Sequence, residues 1–123
     1  MVVIFGGDHQ GKKQFAKDTF SFEDKSLYNA EADIDCSASC FYNLHLLILN
    51  KLKEDVDPLE YFTDSLCVLQ DKILIFSDIS QGIVPTDRLM RDYREACGRV
   101  ITMLSRKADS VYRVFFGIGQ KIK

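Results

Sequence analysis

The sequence predicts an α/β fold with a mainly parallel central sheet, and three segments indicate it. Val2–Phe5, Lys72–Ser77 and Ser110–Gly117 are short runs rich in apolar, β-branched and aromatic residues. Such runs are typical of strands that are buried on both faces of a parallel sheet. Helical patterns lie between them, and strands that alternate with helices form parallel sheets through right-handed crossovers.

Four helices are predicted from the spacing of apolar residues. The first is short and runs from Gly11 to about Thr19, directly after the first strand. Cys40–Leu52 is strongly apolar, and Asp57–Leu69 has Pro58 in its first turn, a favoured position for proline. Arg88–Lys107 has apolar residues at steps of three and four, which predicts a long amphipathic helix.

Two segments are less regular. Phe20–Asp35 stays ambiguous, because it begins with turn-like residues and contains Ser26–Ala30, which could be a short strand. Asp78–Thr86 contains Gly82 and Pro85, which predicts a loop.

The length and the charge balance limit the classes of function. A chain of 123 residues fits one domain, here residues 1–123. Lys and Arg number 16 and Asp and Glu number 18, so the basic surface typical of nucleic-acid binding is not expected. No run approaches the ~20 apolar residues of a membrane helix, and the first residues lack the basic leader of a signal peptide. We therefore expect a cytoplasmic protein that binds neither nucleic acid nor membranes.

The cysteines do not form a recognisable metal motif. They are scattered and include no C-x-x-C pair, whereas zinc needs closely arranged ligands. We expect reduced, buried thiols that act as small hydrophobic groups; the four are Cys36, Cys40, Cys67 and Cys97.

A glycine-rich segment between the first strand and the first helix carries the clearest chemistry. It fits the pattern G-x-x-x-x-G-K, in which backbone N–H groups and a helix N-terminus surround phosphate oxygens and the lysine reaches the β- and γ-phosphates. The sequence thus predicts a P-loop NTPase-like three-layer domain that binds the phosphates of ATP or GTP. A glycine turn without a ligand is the alternative for the same residues, which are Gly6, Gly7, Asp8, His9, Gln10, Gly11, Lys12 and Lys13.

Two residues depart from that pattern. Lys13 replaces the Ser or Thr whose hydroxyl binds Mg²⁺, and an ammonium group has no acceptor atom. Asp8 places a carboxylate in the loop, where a like charge ~4 Å from a phosphate costs roughly 1 kcal/mol in water and about 4 kcal/mol near a protein surface. A protonated His9 would offset that charge. A Mg²⁺ cofactor is therefore an open question, and one hypothesis is that the Lys13 ammonium takes the place of the metal.

A second pattern occupies the carboxy-terminal half. It comprises Ser77–Pro85, Arg88, Arg91–Arg99, Ala108–Tyr112 and Gly117–Lys123. It resembles the adenosylcobinamide kinase / adenosylcobinamide-phosphate guanylyltransferase family of cobalamin biosynthesis. The resemblance extends nearly without gaps from residue 73 to residue 123. The family pattern is approximately N-E-V-G-x-G-I-V-P, R-x-[FY]-R-D-x-x-G-R-x-N-Q and A-D-x-V-Y. Asp35-Cys36 and Asn43-Leu44 are similar to two further short motifs of the family.

The resemblance implies a P-loop core, a nucleotide (ATP or GTP) and a corrinoid ligand, cobinamide. Family members phosphorylate the hydroxyl of the aminopropanol arm and then transfer GMP through a guanylylated histidine. Lys12 and Asp78, which stands for the family's Glu, are the catalytic candidates that it implies, and Asp78 and Asp35 are the candidate Mg²⁺ ligands. Phe115, Phe116 and the apolar Phe41–Leu52 helix are compatible with a homo-oligomer.

Several departures from the family pattern weaken the catalytic expectation. We expect that the segment that carries the family's nucleophilic histidine is deleted, because Ala16 and Asp35 are separated by 18 residues without a histidine. His45 lies in an apolar helix, which is typical of a core or helix-face histidine, so covalent guanylyl transfer has no evident route. Further positions that differ from the family are Ser77, Ser80, Ile101 and Thr102.

Two functions follow from these observations. One is a reduced kinase that phosphorylates cobinamide, with Arg91 and Arg94 as anion contacts or as part of a solvated helix face. The other is a non-catalytic homologue that acts as a nucleotide or corrinoid sensor or as a partner subunit. Asp35 is equally suited to cap a helix or turn.

Overall fold

The computed structural model describes residues 1–7, 9–79 and 87–123 and has a six-stranded sheet. The strands are β1 (Val2–Gly6), β2 (Leu27–Asn29), β3 (Cys40–Tyr42), β4 (Ile73–Ser77), β5 (Ser110–Phe115) and β6 (Ile118–Lys121). Their order is β2-β3-β4-β1-β5-β6, and every neighbouring pair is parallel except β5 with β6. The predicted α/β fold with a mainly parallel sheet is confirmed.

The helices lie on both faces of this sheet. They are α1 (Lys12–Phe20), α2 (Leu44–Lys53), α3 (Pro58–Asp64), α4 (Leu66–Leu69) and α5 (Arg88–Lys107). Ala16 of α1 packs in a cluster on one face, whereas α2, α3 and α5 contribute to a larger cluster on the other face. Helices on both faces of the sheet give the predicted three-layer arrangement. No helix among residues 1–7, 9–79 and 87–123 combines the length and apolarity needed to cross a membrane.

Successive side chains along the central strands point to opposite faces of the sheet, so they divide between the two core clusters. Val3 of β1 belongs to the larger cluster and Ile4 to the smaller one, and Leu74 and Ile75 of β4 divide in the same way. Because both faces are covered, these strands are apolar at successive positions rather than at alternate ones. Burial of each large apolar side chain stabilises the fold by about 1.5–3 kcal/mol relative to its exposure.

Two helix predictions were wrong in detail. The first residues of the predicted Cys40–Leu52 helix form β3, because Cys40 and Phe41 pair with β4, and a short apolar run fits a strand as well as a helix. Asn43, with φ of 60°, separates this strand from α2. The predicted Asp57–Leu69 helix is interrupted at Ser65, while Asp57 caps its start by accepting a hydrogen bond from the Leu59 N–H.

Two strands complete the sheet at its edges. The ambiguous segment contains β2, within the Ser26–Ala30 stretch named above. Strand β6 was not predicted; it returns from β5 through a two-residue turn in which Phe116 and Gly117 have φ of 51° and 78°. Gly119 of β6 lies against Phe15 of α1, since an added Cβ would be 2.0 Å from a ring carbon. The predicted loop Asp78–Thr86 falls mostly outside the described residues, which resume at residue 87.

The cysteines divide into two pairs. Cys40 and Cys97 are buried, as expected, but the same expectation was wrong for Cys36 and Cys67, which are exposed. Cys36 lies in a turn before β3 and Cys67 on the short helix α4. Burial raises the pKa of both the Cys40 and the Cys97 thiol to about 12.

Alkylation should distinguish these two pairs. At pH 8, iodoacetamide should modify Cys36 and Cys67 of the folded protein and leave Cys40 and Cys97 unmodified, because the reactive species is the accessible thiolate. Peptide mass spectrometry before and after unfolding in urea measures the difference. Modification of Cys40 in the folded protein would contradict its place between β2 and β4.

Gly98 should be replaceable by alanine with a gain in stability. It lies within α5, it is exposed, and a Cβ built on it has no neighbour within 4 Å. Glycine in a helix costs about 0.5–1 kcal/mol relative to alanine, so Gly98→Ala should raise the melting temperature by about 2–5 °C. Gly119→Ala is the matched control and should lower it, because the added methyl group collides with Phe15.

Candidate functional site

The glycine-rich loop connects β1 to α1 at the carboxyl edge of the parallel sheet. Gly11 is the N-cap of α1 and has φ of 84°, a conformation that glycine adopts without strain. Its carbonyl oxygen accepts a hydrogen bond from the Phe15 N–H, 2.9 Å away, which begins the helix. This strand–loop–helix context is the one that the phosphate-binding pattern requires.

Lys12 crosses the loop at the start of α1. Its Nζ donates a hydrogen bond to the carbonyl oxygen of Gly7 at 2.7 Å. The loop is therefore closed by its own lysine, and the ammonium group is held close to the loop backbone. A phosphate bound in the loop would meet this charge directly.

A cavity of about 470 Å³ lies beside the loop. The start of α1, the ends of β3 and β4, and the start of α2 form its walls. The described residues that line it are His9, Gln10, Gly11, Lys12, Lys13, Gln14, Tyr42, Asn43, His45, Ile75 and Ser77. In open parallel sheets ligands bind outside the carboxyl ends of the strands, which is where this cavity is found.

Lys13 also lines the cavity. Its Nζ lies 4.2 Å from the centroid of the Tyr42 ring, within the range of a cation–π contact. Tyr42 is the last residue of β3 and also lines the cavity, so the contact places the Lys13 side chain beside the end of that strand. Two consecutive lysines of α1 thus line the cavity.

His45 forms part of the opposite wall. It is a buried residue of α2, as the sequence indicated, with 9% of its surface exposed. Its Nδ1 accepts a hydrogen bond from the backbone N–H of Ser77 at 3.2 Å, which connects α2 to the end of β4. An imidazole that accepts at Nδ1 is neutral and carries its proton on Nε2. The place of His45 in the cavity was not predicted, since only the paths of α2 and β4 bring it there.

Asp78 lies next to the loop through its backbone. Its N–H donates a hydrogen bond to the carbonyl oxygen of Gly6 at 2.8 Å. The neighbouring strands β1 and β4 end side by side at this point. Burial raises the pKa of the Cys97 thiol, and the charge of the Asp78 carboxylate adds a smaller contribution in the same direction. Asp78 is not among the described residues that line the cavity.

Asp35 is not brought to the loop. Its Oδ1 accepts hydrogen bonds from the N–H and Oγ of Ser37, at 2.9 and 2.8 Å, and these bonds lower its pKa. This turn precedes β3, so it lies at the amino edge of the sheet, opposite the loop. The predicted pairing of Asp35 with Asp78 around one metal ion is therefore not found, and the turn alternative describes Asp35. Elsewhere too, the described residues contain no cluster of three or more His, Cys, Asp or Glu side chains that could hold a metal.

The arginines of α5 also lie away from the cavity. Arg91 is exposed, in agreement with a solvated helix face. Arg94 is half-buried and lines a separate groove between α3 and α5. Neither contributes to the described wall of the cavity beside the loop.

Gln10 connects the loop to the carboxy-terminal hairpin. Its side-chain Oε1 accepts a hydrogen bond from the Phe116 N–H at 2.8 Å, and its carbonyl oxygen accepts one from the Gly117 N–H at 2.7 Å. Asp8 and Ser80 lie outside the described residues. The sequence assigned Gln10 to phosphate binding, and no local signal indicated its contact with the hairpin.

Comparisons with known proteins address the carboxy-terminal pattern. A family model described as cobinamide kinase / cobinamide phosphate guanyltransferase matches residues 34–122, which leaves the loop outside the match. Two proteins named bifunctional adenosylcobalamin biosynthesis protein CobU are similar over 51 residues, the one from Salmonella typhimurium at 45% identity and the one from Escherichia coli at 43%.

The extent of these matches differs between the chain and its relatives. Each alignment covers 42% of this chain and 28% of the relative, so the matched part is little more than a quarter of either curated protein. The family model, in contrast, covers most of the chain. The chain therefore belongs to the cobinamide kinase / cobinamide phosphate guanyltransferase family.

Proposed function

We propose that the chain binds the triphosphate of ATP or GTP in the loop and cavity, and that its reaction, where it has one, is phosphoryl transfer to a hydroxyl of cobinamide. The observation that carries this proposal is the position of Lys12. Lys12 and the N-terminus of α1 line a cavity of about 470 Å³ at the carboxyl edge of the sheet, and the ammonium group lies 2.7 Å from the Gly7 carbonyl oxygen of the loop. Helix N-termini and lysines both favour anions.

The charges around the cavity support an anionic ligand. Lys12 and Lys13 line it, and its described lining includes no carboxylate. Positive side chains in the wall of a cavity raise the local potential for a polyphosphate. Most of the other described lining residues have uncharged side chains, among them Gln10, Gln14 and Asn43.

Kinase chemistry needs little beyond positioning and charge stabilisation. In the proposed reaction the hydroxyl oxygen attacks the γ-phosphorus, the bond to the β-phosphate oxygen breaks, and the nucleoside diphosphate leaves. Lys12 would stabilise charge on the transferred group and the leaving group. Asp78, anchored beside Gly6, is the proposed carboxylate that accepts the proton of the hydroxyl.

Guanylyl transfer is not part of this proposal. The covalent step needs an accessible histidine lone pair, and Nδ1 of His45 is engaged by the Ser77 N–H in a buried position. Residues 17–34 contain no histidine and form the rest of α1, a short 3₁₀ turn and β2. In this proposal the chain keeps the carboxy-terminal family features without the family's histidine segment.

A non-catalytic homologue is the second candidate, and Lys13 is the observation that favours it. A protein that binds nucleotide or corrinoid without turnover could act as a sensor or as a partner subunit. A homo-oligomer remains part of both proposals and rests on the exposed hairpin residues Phe115, Phe116 and Ile118. The α2 helix does not support it, because Leu44, Leu47 and Ile48 are buried in the chain's own core.

Lys12→Ala should weaken nucleotide binding. Loss of the ammonium group proposed to contact the phosphates should raise the dissociation constant for ATP at least about fivefold, since a charge contact at ~4 Å contributes about 1–4 kcal/mol. Isothermal titration calorimetry measures the change. Lys17→Ala is the control, because Lys17 lies on the same helix, pairs with Asp24 and is not part of the cavity wall. Equal binding by all three proteins would contradict the proposed site.

Incubation with GTP labelled in the α-phosphate should leave no acid-labile covalent label on the protein. The label is expected to be absent because neither His45 nor the segment 17–34 supplies a nucleophile. A parallel assay with ATP and adenosylcobinamide, read by mass spectrometry of the corrinoid, separates the two candidate functions. A phosphorylated product that disappears in Lys12→Ala supports the kinase, and binding without product supports the non-catalytic homologue.

A further inference from the structure

Lys13 makes the cavity a poor place for a divalent metal. In P-loop enzymes Mg²⁺ is held by a hydroxyl directly after the loop lysine and by a carboxylate from a neighbouring strand. Here the hydroxyl is replaced by an ammonium group, and the described lining of the cavity contains no carboxylate. The described lining residues therefore do not supply the hydroxyl and carboxylate pair that usually holds Mg²⁺. No metal-dependent step is derived for this site.

The same lysine is placed to do electrostatically what the metal would do. Its Nζ lies 4.2 Å from the Tyr42 ring centroid, in the wall that also contains Lys12. A cation–π contact holds an ammonium group without neutralising its charge, whereas an ion pair would cancel much of it. The second positive charge is thereby kept in the cavity.

We propose that this cavity binds polyphosphate as the metal-free anion, with the Lys13 ammonium as the second cation beside Lys12. The inference rests on the proposed nucleotide site and specifies the form of its ligand. That form is a nucleoside triphosphate or inorganic triphosphate without bound Mg²⁺. A Mg²⁺ ion on the ligand would lie near the ammonium group, and the repulsion between the two cations makes the metal complex the weaker ligand.

Titration of the full chain with ATP and, separately, with sodium tripolyphosphate tests the inference. Each ligand is added once with EDTA and once with excess Mg²⁺, and calorimetry gives the dissociation constants. The inorganic ligand isolates the phosphate site from contacts with the base and sugar. The wild-type protein should bind both ligands in EDTA, and excess Mg²⁺ should lower the affinity.

Substitutions at residue 13 give the sharper comparison. Lys13→Ser removes the charge and restores the hydroxyl, so binding in EDTA should weaken at least about fivefold, and added Mg²⁺ should recover part of that loss. Lys13→Arg keeps the charge and should bind in EDTA more tightly than Lys13→Ser. Lys17→Ser removes the same charge from the same helix outside the cavity and should match the wild type. Circular dichroism confirms that every variant is folded.

The outcomes separate this inference from the function that it builds on. A wild-type protein that binds only in the presence of Mg²⁺ overturns the inference and leaves the nucleotide site intact. Failure to bind either ligand under both conditions overturns the site as well. Equal affinity of wild type and Lys13→Ser in EDTA also overturns the inference, because the ammonium group would then contribute nothing.

Discussion

The parallel pairing of β1 between β4 and β5 is the constraint on which the rest of the structure depends. Val2–Gly6 is in register with Ile73–Ser77 on one side, and Val2–Phe5 is in register with Ser110–Arg113 on the other. The three strands end close together, so the loop after Gly6, the backbone of Asp78 and the hairpin after β5 share one edge of the sheet. Helix α1 can then leave this edge with its N-terminus facing the space above the strands. The cavity is a product of strand register, and the side chains that line it modify its charge.

The chemistry of the site comes from substitutions on that scaffold. Consecutive lysines at the start of α1 concentrate positive charge. His45 lines the cavity and accepts a hydrogen bond from the backbone N–H of Ser77. Asp78 lies at the carboxyl edge of the sheet and Asp35 at the amino edge. The two carboxylates that the sequence suggested as ligands of one metal ion therefore have unrelated surroundings. The domain thus combines the carboxy-terminal pattern of its family with a glycine-rich loop that contains two consecutive lysines.

Sequence reasoning predicted the fold well where patterns are long. The three central strands, the long helix α5 and the glycine loop all follow from periodicity and composition, and each is found. Sequence reasoning was less successful for segments whose secondary structure depends on pairing with a distant strand. Cys40–Tyr42 is a strand only because β4 lies beside it, and β6 exists because a turn at Phe116 and Gly117 folds it onto β5. The same limit applies to the site: the motif identified Lys12 and Lys13, but the place of His45 and the separation of Asp35 depend on contacts between distant segments.

Gln10 joins the glycine-rich loop to the turn between β5 and β6, where its partner Phe116 lies 106 positions later in the chain. Local sequence alone cannot therefore set the shape of the loop, and a peptide that contained β1, the loop and α1 would lack the two N–H groups that hold Gln10 in place. Because closing so large a loop of chain is entropically costly, we expect the glycine-rich loop to take its final shape only after the β5–β6 hairpin has docked. A ligand bound at the loop is consequently coupled to the docked hairpin, and occupancy should protect the backbone amides of Phe116 and Gly117 from exchange with solvent.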